Sequence, residues 1–276
     1  MDKKLIFLDI DGTLTVPGHN TPPESALAAI REAREAGHRV FLASGRSLSA
    51  LSPLLRLGFD GAVASAGGYI ACGSQVLYDH PMTASQLEAI QAVLRRHNVF
   101  SIIEAQDAAY AEGDLRQAFA NAPGGDSEFR RWKAIYEQEL GVRPISQYGG
   151  QPIYKVVCIY HSPSQLEEAR SLLEKEFVFC GQSIPSDSWL NTELINRDFD
   201  KGRALERVCR HLGVDLADTI AFGDGPNDLE MIRTAGLGVC MENGCQALKD
   251  ISGMICPPVE QDGLAAGFRA LGLVKA

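Results

Sequence analysis

Two carboxylates stand two positions apart in Leu5-Ile6-Phe7-Leu8-Asp9-Ile10-Asp11-Gly12-Thr13, where an apolar run ends. Neighbouring like charges raise a carboxyl pKa unless a cation compensates them, so the pair calls for either a metal ion or a shared proton. An Asp-Gly turn closing a strand is the plainer alternative. Against it, Asp9 falls inside the apolar run, where an unpaired charge is costly. A second acidic set, Ala221-Phe222-Gly223-Asp224-Gly225-Pro226-Asn227-Asp228, also ends an apolar run. Hard cations take oxygen ligands, and Mg²⁺ is typically held by one or two carboxylates with phosphate and water. A helix starting just beyond would favour a bound anion. Each of these residues, taken singly, also suits a Gly-Asp-Gly-Pro turn and a helix cap. Phe41-Leu42-Ala43-Ser44-Gly45-Arg46 places a hydroxyl and a glycine at the end of a third run. Those residues can approach a phosphate oxygen or simply cap a helix. In Asp200-Lys201-Gly202 a lysine opens a helical pattern, either solvated or neutralising a carboxylate and a phosphate together.

The elements around these residues decide between the readings. Residues 5–10 and 39–43 read as buried strands flanking a helix over 25–36, which carries Leu27, Ile30 and Ala33 on one face and stops at Gly37. Residues 61–64 add a third strand. Towards the C-terminus the pattern gives a helix over 201–212, a strand over 219–222, a helix over 226–234, strands over 237–240 and 254–256, and a helix near 263–271. Nearly continuous apolar strands alternating with helices indicate an α/β, doubly wound parallel-sheet (Rossmann-like) core. In such a sheet ligands bind at the carboxyl edge, and right-handed crossovers bring all those strand ends to one edge. Asp9, Asp11, Ser44, Asp224 and Asp228 should therefore share one crevice.

The middle of the chain differs. Helical periods run over 85–96, 128–140 and 164–177, with Asn121-Ala122-Pro123-Gly124-Gly125 as a loop. Strands fall over 101–104, 153–160 and 189–195, the last two partly alternating, as in a sheet with one open face. The expected organisation is a core of residues 1–81 and 190–276 with an inserted α+β cap domain over 82–189.

Composition narrows the function classes. At about 150 residues per domain, 276 residues allow two domains. A net charge of −9 with no Lys/Arg cluster argues against nucleic-acid binding. It leaves room for a pocket that takes a phosphorylated small molecule together with a cation. No apolar run approaches the ~18 residues that would cross a membrane. Met1-Asp2-Lys3-Lys4 precedes a short apolar run that ends in acids, unlike a signal peptide, so a cytoplasmic protein is expected. Seven cysteines without a Cys-x-x-Cys spacing suit small buried residues in a reducing compartment better than disulfides or zinc.

With the four motifs in this order, the sequence resembles the haloacid dehalogenase superfamily, and more closely its Cof-like sugar-phosphate and cofactor phosphatases. The resemblance implies a Mg²⁺-dependent phosphatase of small phosphorylated metabolites. In it Asp9 would attack phosphorus and form an aspartyl-phosphate, and Asp11 would protonate the leaving oxygen and then deprotonate water. It further implies that Asp9, the backbone carbonyl of Asp11, and Asp224 hold the metal, with Asp228 an outer ligand. Ser44, Gly45, Lys201 and Asn227 would face the phosphate, and Arg46 would either reach a substrate anion or form a structural salt bridge. Two segments depart from the family pattern: Ser65-Ala66-Gly67-Gly68 stands where Asn-Gly is frequent, and Glu242-Asn243-Gly244 where Gly-Asn-Ala is frequent. In the insert, Arg130, Arg131, Lys133 and Lys155 can contact a leaving group, although a solvated face is the simpler expectation for each. A phosphomutase or phosphotransferase acting on sugar phosphates uses the same motifs. A non-catalytic phosphometabolite-binding module is the third alternative, and the presence of both Asp9 and Asp11 argues against it.

Overall fold

The computed structural model describes residues 3–17, 19–112, 142–186 and 189–275, and the apolar runs of the sequence become its strands. Along the chain the first elements are β1 (Leu5–Leu8), α1 (Glu24–Glu35), β2 (Arg39–Ala43), α2 (Leu48–Leu55), β3 (Gly61–Ala64), β4 (Tyr69–Cys72) and β5 (Gln75–Asp79). Then come α3 (Ala84–Arg96), β6 (Phe100–Ala105), β7 (Ala109–Ala111), β8 (Arg143–Pro144), β9 (Ile153–Tyr160), α4 (Glu167–Leu173), β10 (Phe177–Ser186) and β11 (Trp189–Asn196). The last are α5 (Lys201–Leu212), β12 (Thr219–Gly223), α6 (Leu229–Thr234), β13 (Leu237–Met241), α7 (Gln246–Lys249), β14 (Met254–Cys256) and α8 (Gly263–Ala270). The helix expected over 128–140, the loop at 121–125, and Arg130, Arg131 and Lys133 lie outside the described residues.

The chain divides into two compact units, one of Met1–Arg46, Leu51–Asp79 and Phe199–Ala276, the other of Ser47–Ala50 and His80–Asp198. In the first, eight strands form one sheet in the order β14-β13-β12-β1-β2-β3-β4-β5. The six from β14 to β3 are parallel, and β4 and β5 add antiparallel at one edge. From β1 the chain steps outward through β2 to β3, whereas β12 leads outward through β13 to β14 on the other side. The winding direction therefore reverses between β1 and β12, and such a switch point opens a crevice at the carboxyl edge. All four residues of β1 are buried, as a strand covered on both faces requires. One face packs Phe7 and Phe41 against Ala204, Leu205 and Val208 of α5 and Met231 of α6. On the other, the rings of Phe222 and Phe268 lie 5.4 Å apart.

The structure departs from the periodicity in several details. Strand β1 stops at Leu8, because the Ile10 carbonyl turns to accept from the N–H groups of Leu14 and Thr15. The helix expected over 226–234 begins as a 3₁₀ turn, Pro226–Asp228, before α6. On α1 the buried face is Ala26, Ala29, Ile30 and Ala33, with Leu27 only half-buried.

The second unit holds a six-stranded sheet in the order β10-β11-β9-β6-β7-β8. Helix α3, started by a Thr83/Gln86 capping box, and α4 supply Ile90, Leu94, Ala169 and Leu173 to a cluster with Ile103, Val156 and Leu194. The helix expected over 164–177 ends at Leu173: Glu174-Lys175-Glu176 forms a turn and Phe177 opens β10. Every residue of β9 is buried rather than alternating. It is an inner strand with apolar clusters on both faces, the second built from Ile102, Ala109, Ala111, Val157 and Ile159. On that second face Lys155 is 5% exposed, not solvated as expected. Its ammonium lies 2.9 Å from Glu193 and 3.2 Å from Glu104, the latter directly opposite it in the sheet register. Two carboxylates are what make that burial tolerable.

Candidate active site

The carboxyl ends of β1, β2 and β12 bring the acids of the first unit together. Asp9 follows β1 and extends the ladder by one step, its N–H donating to the Phe222 carbonyl at 3.0 Å. Its side chain is thereby fixed at the sheet edge, 6% exposed. Lys201 enters from the first turn of α5, which Asp200 caps by accepting from the Arg203 N–H at 2.8 Å. The Lys201 ammonium donates to Asp9 and to Asp228, at 2.6 Å in each case. Asp228 is fully buried, and its other oxygen accepts from the N–H groups of Asp224 and Gly225, each at 3.0 Å. Asp224 itself accepts from the Thr13 hydroxyl at 2.9 Å and from the Asn243 amide at 3.3 Å.

Backbone glycine makes this close approach possible. Gly12 has φ +89°, and a Cβ there would sit 2.3 Å from an oxygen of Asp224. Any side chain at that position would push the β1 loop away from the acid.

Asp9, Asp224 and Asp228 each offer an oxygen within 4.8 Å of the others. Three carboxylates against one ammonium leave two net negative charges when all are ionised. Burial and the charge of Asp228 push the Asp9 carboxyl well above its ordinary value despite Lys201. Burial, and then Asp228, raise Asp224 to about 7. Lys201, although burial works against its charge, is held above its ordinary value by Asp228 and Asp9. Three oxygen donors with excess negative charge in a buried setting suit a hard divalent cation, which would favour the ionised forms of Asp9 and Asp224.

Asp11 is not one of these three carboxylates, although its charge adds to the rise of Asp224. Its carboxylate receives a two-pronged bond from Arg46, Nη2 at 2.7 Å and Nε at 2.9 Å, and its side chain is 43% exposed. Arg46 also donates to Asn20. Arg46 therefore forms a salt bridge within the fold.

Ser44 is buried at the end of β2, its hydroxyl accepting from the Arg46 N–H at 3.2 Å. A Cβ on Gly45 would meet nothing within 4 Å. Asn227 is exposed in the 3₁₀ turn before α6. In the loop after β3, Ser65 and Ala66 both take positive φ, 50° and 57°, where L residues are uncommon. Thr13 and Asn243 were not among the expected site residues. Asn243 also donates to the Gly12 carbonyl at 3.0 Å, so it ties the β1 loop to the acid that follows β12. Its position just past β13, at the carboxyl edge, is the signal that could have found it.

Both the sequence and the fold have known relatives. A family model described as haloacid dehalogenase-like hydrolase matches residues 6–268. A Bacillus subtilis (strain 168) protein named "Putative phosphatase YkrA" is 31% identical over 278 residues, covering all of both chains. The Escherichia coli (strain K12) pyridoxal phosphate phosphatase YbhA is 25% identical over 274 residues, covering 96% of this chain and 97% of its own. Among solved structures, the sugar phosphatase BT4131 of subclass IIB superposes with a TM-score of 0.77 at 21% identity, over 99% of this chain and all of its own.

Proposed function

Since the chain belongs to the haloacid dehalogenase-like hydrolases and is a phosphatase of small phosphorylated metabolites, we propose that it works through Asp9 as nucleophile and Asp11 as acid and base. Asp9 attacks phosphorus, the ester P–O bond breaks, and the leaving oxygen takes the proton of the Asp11 carboxyl. Water then attacks the aspartyl-phosphate, giving its proton back to Asp11 and releasing phosphate. Asp9, Asp224 and Asp228 would hold Mg²⁺, with the Asp11 carbonyl completing the set. When bound, the ion neutralises charge on the transferring phosphoryl group. Lys201 favours the ionised form of Asp9 and holds it in place, and Ser44, Gly45 and Asn227 are assigned to the phosphate oxygens. Residues 82–189 are assigned the choice of leaving group. The E. coli relative's name supports a phosphorylated cofactor as substrate.

The observation that carries this reading is the division of labour between two acids two residues apart. Asp9 is buried against Lys201 beside the other carboxylates, and Asp11 is half-exposed under Arg46. That difference supports Asp9 as the phosphoryl acceptor and Asp11 as the proton carrier.

The test is to quench the enzyme during turnover of a sugar phosphate with Mg²⁺ present and look by mass spectrometry for phosphate on Asp9. Asp9→Asn should carry none and turn over nothing. Phosphate found on another residue, or turnover by Asp9→Asn, overturns the assignment. Transfer of the phosphoryl group to added sugar in preference to water would make the enzyme a phosphotransferase. Asp11→Asn should lower turnover of alkyl phosphates by about 10²–10⁴-fold. It should do less damage with a nitrophenyl ester, whose leaving group departs without a proton.

A further inference from the structure

The first unit carries a second concave site, and its chemistry is opposite to that of the acidic cluster. A groove of about 390 Å³ lies between β5 and the later turns of α5, lined by Gln75, Val76, Leu77 and Tyr78 and by Arg207, Arg210 and His211. That volume is in the range of small-molecule pockets. The strand side is open because β5 is the last strand of its sheet. Arg207, Arg210 and His211 stand at i, i+3 and i+4, which is one face of a helix. No acid lines the groove, in a chain of net charge −9.

The arginine nearest the strand is held in place. The Arg207 guanidinium lies over the Tyr78 ring, 4.0 Å from its centroid. Stacking of this kind uses the face of the guanidinium and keeps its positive charge at the groove. Arg210 and His211 are exposed, and neither is joined by a side-chain hydrogen bond or ion pair to another of the described residues. Basic residues in a last turn also complement the negative end of a helix. That complement covers Arg210 and His211; Arg207 stands a turn earlier, stacked on an aromatic ring. Half-exposed Val76 adds apolar surface that a phosphate ion alone would not use.

We propose that this groove binds a small organic oxyanion, a carboxylate or phosphate group on an apolar body, at a site separate from the acidic cluster. Lys201 and Arg207 share α5 and are separated by about 9 Å along its axis. One helix thus carries a cation into each site.

The test titrates the full chain, without added divalent cation and at constant ionic strength, with tricarballylate and separately with phenyl phosphate, following backbone ¹⁵N–¹H signals. Signals of residues 75–78 and 207–212 should shift and saturate with at least one anion. The dissociation constant should weaken about tenfold or more in Arg207→Gln/Arg210→Gln. A response to one anion alone upholds the site and names the source of its oxyanion. Arg210→Gln alone changes only an exposed side chain and should weaken binding in the same direction. No saturating shift with either anion, or shifts with an unchanged dissociation constant in both variants, would overturn the proposal.

Discussion

Lys201 shows how a single side chain can hold a site that repels itself. It donates to Asp9 and Asp228, and all three are buried. Removing one partner of a buried pair leaves the others uncompensated, at a cost of about 3–5 kcal/mol. Lys201→Met should therefore lower the stability of the metal-free protein by about that much at pH 8, as read by urea unfolding. The loss should shrink at pH 5. The Lys201 ammonium is present at both values, because its pKa lies above its ordinary value in the fold. The carboxyl of Asp9, already raised by burial, can take up a proton at the lower pH. An equal loss at both pH values would mean that the lysine contributes packing rather than charge.

Helix α5 places that lysine, and its start is set by a single cap. Asp200→Ala removes the acceptor for the Arg203 N–H and should cost about 1 kcal/mol. Because Lys201 sits in that first turn, turnover should fall too, by up to about 10²-fold. Unchanged turnover with the expected loss of stability would show that the lysine is positioned by Asp9 and Asp228 instead. The same helix was legible in the sequence at its observed bounds, as were β2 and β3, because buried parallel strands are unbroken apolar runs between glycine stops. The acids of the site were legible for the same reason: Asp9 and Asp224 end such runs. The hairpin of β4 and β5 was not read, since β5 is an edge strand with no fully buried residue, and its apolar run is only Val76-Leu77-Tyr78. Lys155 was misread because its burial depends on Glu104 and Glu193, which stand beside it only once three strands are in register. Asn243 escaped for a related reason: an amide after β13 gains meaning only when the β1 loop lies against it.

At the scale of the molecule, each unit has its own sheet and its own apolar cluster, while the acidic cluster belongs to the first alone. Calorimetry should resolve two transitions, and a divalent cation should move only one. At a hundred times its dissociation constant the cation adds about 2.7 kcal/mol to the state that binds it. The pH response of that transition follows from Asp224, whose carboxyl is raised to about 7 in the fold. Between its unfolded value near 4 and 7, the folded state holds a proton that the unfolded state has lost, so stability without cation falls as pH rises through this window. Asp224→Asn removes the charge that causes the fall. It should raise the cation-free transition at pH 8 by about 2–4 °C, the equivalent of about 1 kcal/mol, and abolish the response to cation. The second transition should ignore the cation and the substitution alike. If instead both transitions move together, or only one is seen, then the two units melt as a single cooperative body and the acidic cluster stabilises all of it.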